Sequence, residues 1–139
     1  RLYDEHGVRR YYVGGALGVD MWAGELILRL KEQPGYGDIE LVVVLPFEGH
    51  DSKWDERSKR RMDFLLRMCS DCVVIGKEDC RENYIKRNCY MVDHADYLVA
   101  VYDNERNLRS GTMQTVRYAQ NKGITISFVN PDTATVTTN

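Results

Sequence analysis

Short apolar runs alternate with amphipathic segments along most of the chain. Five runs rich in valine, isoleucine and tyrosine indicate β-strands, and several are almost continuously apolar, as is typical of strands buried on both faces of a parallel sheet. The predicted strands are 8–13, 39–45, 72–75, 97–102 and 124–129. Apolar positions at helical spacing predict helices at 19–33, 52–68, 82–92 and 112–122. Alternating strands and helices predict an α/β fold with a mostly parallel, covered sheet.

The length of 139 residues predicts one domain spanning the whole chain, 1–139. Residues 1–7 resemble the last turn of a helix, whereas a doubly wound domain normally opens with a strand. We therefore expect an N-terminally truncated domain, with a first strand and most of a first helix missing upstream. The threonine-rich tail, 133–139, is expected to be a frayed end.

The bulk composition is that of an ordinary soluble globular protein, with 43% hydrophobic and 29% charged residues. The net charge of −2 supplies no basic field that would attract nucleic acid, so nucleic-acid binding is disfavoured. No run approaches the roughly 20 apolar residues that span a bilayer, so no membrane association is expected. Residues 1–10 lack an apolar signal-peptide core, which favours a cytoplasmic location.

The four cysteines favour free thiols over a metal or redox site. Cys69 and Cys72 have the spacing of a zinc or redox pair. The pair falls where a predicted helix ends, however, and a helix dipole lowers a thiol pKa only at the opposite end. Cys80 and Cys89 do not form a second such pair, which leaves a tetrahedral zinc site as the weaker alternative. We therefore expect no metal and no cofactor.

A glycine-rich turn joins the first predicted strand to the next helix and is the strongest functional signal. Gly14, Gly15 and Gly18 let a ligand approach the backbone, and the helix that follows directs its unpaired N–H groups to the same place. The turn therefore indicates an anion site, usually for phosphate. Its spacing matches neither a dinucleotide-binding motif nor a Walker A loop, and a plain tight turn is the alternative. Asp20 has two interpretations, a helix-stabilising charge or a ribose ligand.

Further candidates follow the other predicted strands, because ligands of open α/β sheets bind beyond the carboxyl ends of the strands. Phe47 and Trp54 form either a stacking surface for a base or a buried core pair. Arg87 lies in a polar stretch between tyrosines and is a candidate ligand contact. Asp103 follows the fourth strand and is a candidate carboxylate.

A second anion pocket is predicted where the loop after the fourth strand enters the last helix. Ser110, Gly111 and Thr112 stand at that entry, with Ser110 or Thr112 as cap or phosphate ligand. Two such loops at one edge of a sheet could hold a phosphate together with a ribose or a second phosphate.

Taken together, these motifs resemble the YpsA-like family of the SLOG superfamily, and the resemblance covers nearly the whole chain. The segments that carry it are GGALGVDMWAGE at 14–25, LPF at 45–47, Trp54, RNCYMVD at 87–93, DYLVAVYD at 96–103, SGT at 110–112 and TVRYA at 115–119. The superfamily includes the Lonely Guy and DprA/Smf proteins. The resemblance implies a Rossmann-like three-layer fold and binding of a nucleotide or nucleotide derivative.

Two differences from the relatives matter for function. Family members usually begin with a strand and a Thr-Gly-containing loop that faces the same pocket, and this chain lacks both. The Lonely Guy phosphoribohydrolases carry a catalytic glutamate where this chain has Thr115. A threonine cannot act as a carboxylate base, so phosphoribohydrolase activity is not expected.

Three functions therefore stay open. The leading prediction is a module that binds or senses a nucleotide-like small molecule, and it includes no catalytic residue. The second is a hydrolase of an N-glycosidic or phosphate bond, with Asp20, Glu25 or Asp103 as the acid–base group. The third is an interaction protein with a vestigial pocket. Self-association into a homo-oligomer is compatible with all three.

Overall fold

Helices and strands alternate along the chain in the computed structural model, which describes residues 1–101 and 110–138. The elements are α1 (Leu2–His6), β1 (Arg10–Val13), α2 (Val19–Lys31), β2 (Glu40–Phe47), α3 (Glu56–Met68), β3 (Asp71–Gly76), α4 (Arg81–Asp93), β4 (Tyr97–Val101), α5 (Ser110–Lys122), β5 (Thr125–Val129) and β6 (Val136–Thr138). The predicted α/β class is confirmed. The chain forms two compact units, 1–83 and 84–139, and each is described by itself.

The first unit is built on a parallel sheet with strand order β1-β2-β3. Val13 pairs with Val43, and Val43 pairs in turn with Cys72. As the central strand, β2 is buried at every position from Leu41 to Phe47, which explains its continuous apolar sequence.

Helices α2 and α3 cover one face of this sheet. Strand side chains two residues apart point to the same face, and the odd-numbered ones here join the apolar stripes of the two helices. The resulting core cluster contains Val13, Met21, Leu28, Leu41, Val43, Leu45, Met62 and Leu65. Gly24 allows the helices to pack closely, because a Cβ there would lie 3.2 Å from both methyl carbons of Leu65.

The edge strand β3 is more exposed than its sequence predicts. The prediction that strands of this kind are buried on both faces is wrong for β3, where no residue is fully buried and Val74 is 47% exposed. An edge strand has a neighbouring strand on one side only, so its residues are more exposed to solvent than those of the central strand.

The second unit combines parallel and antiparallel pairing. Strand β5 pairs with β4 in parallel and with β6 in antiparallel orientation. Its core cluster contains Val92, Ala100, Val116, Ala119 and Ile126.

A polar cluster joins α4 and α5 at the surface of this unit. Tyr118 Oη donates a hydrogen bond of 2.7 Å to Asp93 Oδ1, and Lys122 Nζ lies 3.3 Å from the same oxygen. The Tyr118 hydrogen bond and the Lys122 charge hold the pKa of Asp93 below its usual value.

The carboxyl-terminal tail forms a strand, so the prediction of a frayed end is wrong for residues 136–138. Asn130 Oδ1 accepts the backbone N–H of Asp132 at 2.9 Å, which turns the chain back on itself. Val136 then pairs with Val129. β-branched threonine and valine favour this extended pairing.

Most element boundaries differ from the sequence prediction by one or two residues, and α3 begins four residues later than predicted, at Glu56. Strand β2 does not end before Pro46 but runs through it to Phe47. Helix α5 begins at Ser110, two residues before the predicted start. Residues in a first helical turn need no i−4 hydrogen-bond partner, so small and polar residues are readily accommodated there. Among the described helices, none has the length and apolar character needed to cross a membrane.

Candidate functional site

The glycine turn between β1 and α2 has the geometry of an exposed helix start. Gly15 has a φ of +69°. Gly18 is the residue before α2 and adopts φ +84° and ψ −121°, a conformation open essentially to glycine alone. No side chain of Gly18 can cap the helix, so the first N–H groups of α2 have no capping side chain at that position.

Close packing against β2 explains why residue 15 has no side chain. A Cβ on Gly15 would lie 2.7 Å from Leu45 Cδ2 and 3.4 Å from His50 Nε2. Gly14 and Gly15 are both buried, whereas Gly18 is exposed. The turn therefore has a buried half that packs on the sheet and an open half at the start of the helix.

His50 ties the segment after β2 to this turn. Its Nε2 donates a hydrogen bond of 2.8 Å to the Gly15 carbonyl oxygen. The imidazole also stands edge-on to Trp54, with ring centroids 5.1 Å apart at 74°. The structure thus brings the predicted residues Gly15 and Trp54 to the two sides of one histidine.

His50 is not among the candidate residues that the sequence predicts. A different signal could have found it. His50 follows the carboxyl end of β2, and the carboxyl ends of neighbouring parallel strands meet at one edge of a sheet.

Asp20 places a carboxylate at the open half of the turn. It stands in the first turn of α2, is half-buried, and its Oδ2 lies 3.4 Å from the backbone nitrogen of Ala16. A carboxylate here stabilises the helix start through the dipole. It is also an acceptor positioned to bind a hydroxyl group, whereas its charge repels a second anion.

Glu25, a candidate acid–base group, is engaged in an ion pair between helices. Arg61 of α3 donates to Glu25 Oε1 of α2 through both its Nε and its terminal nitrogen. The Glu25 carboxylate raises the pKa of the Arg61 guanidinium. A carboxylate held in this way links α2 to α3 and is not arranged as a proton carrier.

The two aromatic candidates differ in exposure. Phe47, the last residue of β2, is buried at 7% relative exposure. Trp54 is half-buried and packs against the core cluster of the first unit. Their role as a stacking surface stays a prediction.

The remaining candidates belong to the second unit. Arg87 of α4 is buried, with its Nε donating to Asn88 Oδ1 at 2.9 Å and its guanidinium 5.6 Å from the ring centroid of Tyr84. Ser110, Gly111 and Thr112 form the first turn of α5. Asp103 lies outside the described residues.

A groove of about 280 Å³ runs between α4 and α5. Its lining residues are Ile85, Asn88, Cys89, Gln114, Thr115, Arg117, Tyr118 and Asn121. Thr115, in the second turn of α5, therefore faces α4. Burial raises the pKa of the neighbouring Cys89 thiol, which keeps this group protonated.

The cysteine pair lies where the sequence predicts, at the junction of α3 and β3. Cys69 ends α3 and its thiol donates to the Leu66 carbonyl at 3.2 Å, whereas Cys72 is exposed on β3. Partial desolvation of the sulfur atoms raises the pKa of both thiols. Within residues 1–101 and 110–138, no three His, Cys, Asp or Glu side chains are grouped to hold a metal ion.

Comparison with known proteins agrees with this fold. The family model described as the YspA SLOG family matches residues 1–134. UPF0398 proteins of Bacillus cereus strain B4264, Bacillus cereus strain G9842 and Bacillus thuringiensis strain Al Hakam are each 29% identical over 104 residues. The matches cover 73% of this chain and 55% of each relative, so the chain spans about half the length of these relatives. The chain belongs to the YpsA family of SLOG proteins.

Proposed function

We propose that the chain binds a nucleotide or nucleotide derivative at the turn between β1 and α2. The observation that carries this proposal is the uncapped, glycine-flanked start of α2 at the carboxyl end of a parallel strand. Backbone N–H groups and the positive end of the helix dipole converge there, and they favour a phosphate group. Membership of the SLOG family supports the same class of ligand.

The geometry of the turn suggests where the phosphate, the ribose and the base of the ligand each bind. The phosphate binds at the exposed N–H groups after Gly18, where no side chain obstructs it. The Asp20 carboxylate repels a second phosphate but accepts hydrogen bonds from a ribose diol. Trp54 stands beside His50 next to the turn, and we assign it to stack on the base.

A binding role fits the carboxylates better than a hydrolytic one. Glu25 is engaged with Arg61, and Thr115 offers no carboxylate at the position used by the phosphoribohydrolases. Asp20 stands in the first turn of α2, and its Oδ2 lies 3.4 Å from the backbone nitrogen of Ala16. From there its carboxylate oxygens can accept hydrogen bonds from a ligand hydroxyl group.

Thermal denaturation with a panel of AMP, ADP, ATP, NAD and ADP-ribose tests the proposal. A panel member present at 100 times its Kd should stabilise the fold by about 2.7 kcal/mol. The proposal is overturned if no member of the panel raises the melting temperature.

A pair of charge variants tests the location of the site. Val19 and Leu26 both lie on α2 and are 46% and 45% exposed, but only Val19 is at the helix start. Val19→Glu should weaken phosphate binding about tenfold, which cuts the ligand-induced gain to about 1.4 kcal/mol at the same ligand concentration. Leu26→Glu should retain the full gain. Equal gains in the two variants would place the ligand elsewhere.

A further inference from the structure

The outer edge of β3 is an open strand edge without the usual protection. Among the described residues, β3 pairs with β2 alone. Natural edge strands are commonly blunted by a proline, a lysine or a bulge within the strand. From Cys72 to Ile75 this strand has neither a proline nor a charged residue. Such an edge favours pairing with another strand.

The backbone groups that face this edge can be identified from the neighbouring hydrogen bonds. Ser70 donates its backbone N–H to Leu41 O on β2, at 2.8 Å. Glu40 donates its backbone N–H to Arg9 O, so the even-numbered residues of β2 face β1 and the odd-numbered ones, Leu41 included, face β3. Because Val43 is aligned with Cys72, these odd-numbered residues bond to the odd-numbered residues of β3, at 71, 73 and 75. The N–H and C=O groups of Cys72 and Val74 therefore point to the open edge, where Asp71 Oδ1 accepts the Cys72 N–H at 2.8 Å.

The side chains along the edge are apolar and accessible. Val74 pairs with Leu45 and so lies on the sheet face that α2 and α3 cover, yet it is 47% exposed. Met68, in the last turn of α3 just before the strand, is 50% exposed. The edge thus offers apolar surface together with the outward-facing backbone groups of Val74.

We propose that β3 pairs with β3 of a second copy of this chain, in antiparallel orientation about a two-fold axis at Val74. Antiparallel pairing places the outward-facing residues of the two strands opposite each other, so Val74 faces Val74 of the second copy and Cys72 faces Gly76. The same register places Asp71 opposite Lys77 of the second copy, twice in each dimer. Opposite charges therefore meet at both ends of an apolar strand pair.

Charge complementarity selects this register among those that the backbone allows. A shift of two residues in either direction places Asp71 opposite Ile75, or Lys77 opposite Val73, and shortens the paired segment. The register centred on Val74 is self-complementary, as a two-fold interface requires. It extends the three strands of each copy into one sheet of six.

Sedimentation equilibrium of the full chain in reducing buffer tests the proposal. The wild-type protein should show a monomer–dimer equilibrium. Asp71→Lys and Lys77→Asp each bring like charges together at both ends of the strand pair and should raise the dimer dissociation constant about tenfold. The double variant Asp71→Lys/Lys77→Asp restores opposite charges and should recover the wild-type constant.

Two further variants separate the interface from effects on the fold. Val74→Lys places two ammonium groups at the two-fold axis and should give a monomer. Leu26→Lys, at an equally exposed apolar position on α2, should leave the dimer intact. Thermal melts establish that each variant is folded. A monomeric wild type, a dimer that survives Val74→Lys, or a double variant that fails to recover the dimer would each overturn the proposal.

Discussion

The packing of Gly15 against β2 allows a quantitative prediction for Gly15→Ala. At a φ of +69° an alanine costs about 1–2 kcal/mol in backbone strain. Its Cβ would also stand 2.7 Å from Leu45 Cδ2, and displacing a packed core side chain costs about 1–3 kcal/mol. Alanine also lowers the conformational entropy of the unfolded chain, which offsets about 0.4–1 kcal/mol of this loss of stability. We therefore expect a net destabilisation of about 2–3 kcal/mol.

Urea titration followed by circular dichroism measures this loss. The midpoint should fall while the slope of the transition stays constant, because the surface exposed on unfolding is unchanged. Gly7→Ala is the matched control for backbone strain. Gly7 has the same φ of +69°, but a Cβ there would have no heavy atom within 4 Å. Gly7→Ala should therefore cost about 1 kcal/mol.

A double-mutant cycle with Leu45→Ala isolates the steric part. Removing the isobutyl group of Leu45 makes room for the new Cβ, so Gly15→Ala should cost about 1–2 kcal/mol less in this background. If Gly15→Ala costs the same with and without Leu45, or no more than Gly7→Ala, the turn does not pack on β2 as described.

Three further predictions concern the helices. Leu65→Ala should lose about 2–5 kcal/mol of stability in a urea titration, because Leu65 is fully buried between α2 and the sheet. Asp55→Ala removes the side-chain cap of α3 and should lower the melting temperature, whereas Asp55→Asn should retain most of the cap. Asp93, whose pKa Tyr118 and Lys122 lower, contributes stability that is complete above its unfolded pKa of about 3.9 and is lost as pH falls through the folded value. Asp93→Asn should therefore be less stable than wild type at neutral pH and converge with it in acid, as measured by thermal melts across that range.

The order of elements could be predicted well because each strand has a local pattern of apolar residues. β2 is continuously apolar since it is central, and the glycines after β1 mark the turn by a conformational need that only glycine meets. A single sequence contains no comparable signal for the pairing of Glu25 with Arg61, 36 positions apart, which depends on how α2 packs on α3. The exposure of β3 likewise depends on its place at the edge of the sheet, not on its composition.

The unequal lengths of β1 and β2 determine which residues lie beside the glycine turn. The two strands stay paired up to Val13 and Val43, but β2 continues for four more residues, through Pro46 to Phe47. At about 3.3 Å per residue, this overhang rises roughly 13 Å beyond the end of β1, alongside the glycine turn. Gly49, with a φ of +78°, then turns the chain back, and this reversal brings His50 within hydrogen-bond distance of Gly15. Ending β2 before Pro46, as the sequence suggested, would remove that overhang. The extent of the central strand, more than any single motif, therefore determines which side chains surround the start of α2.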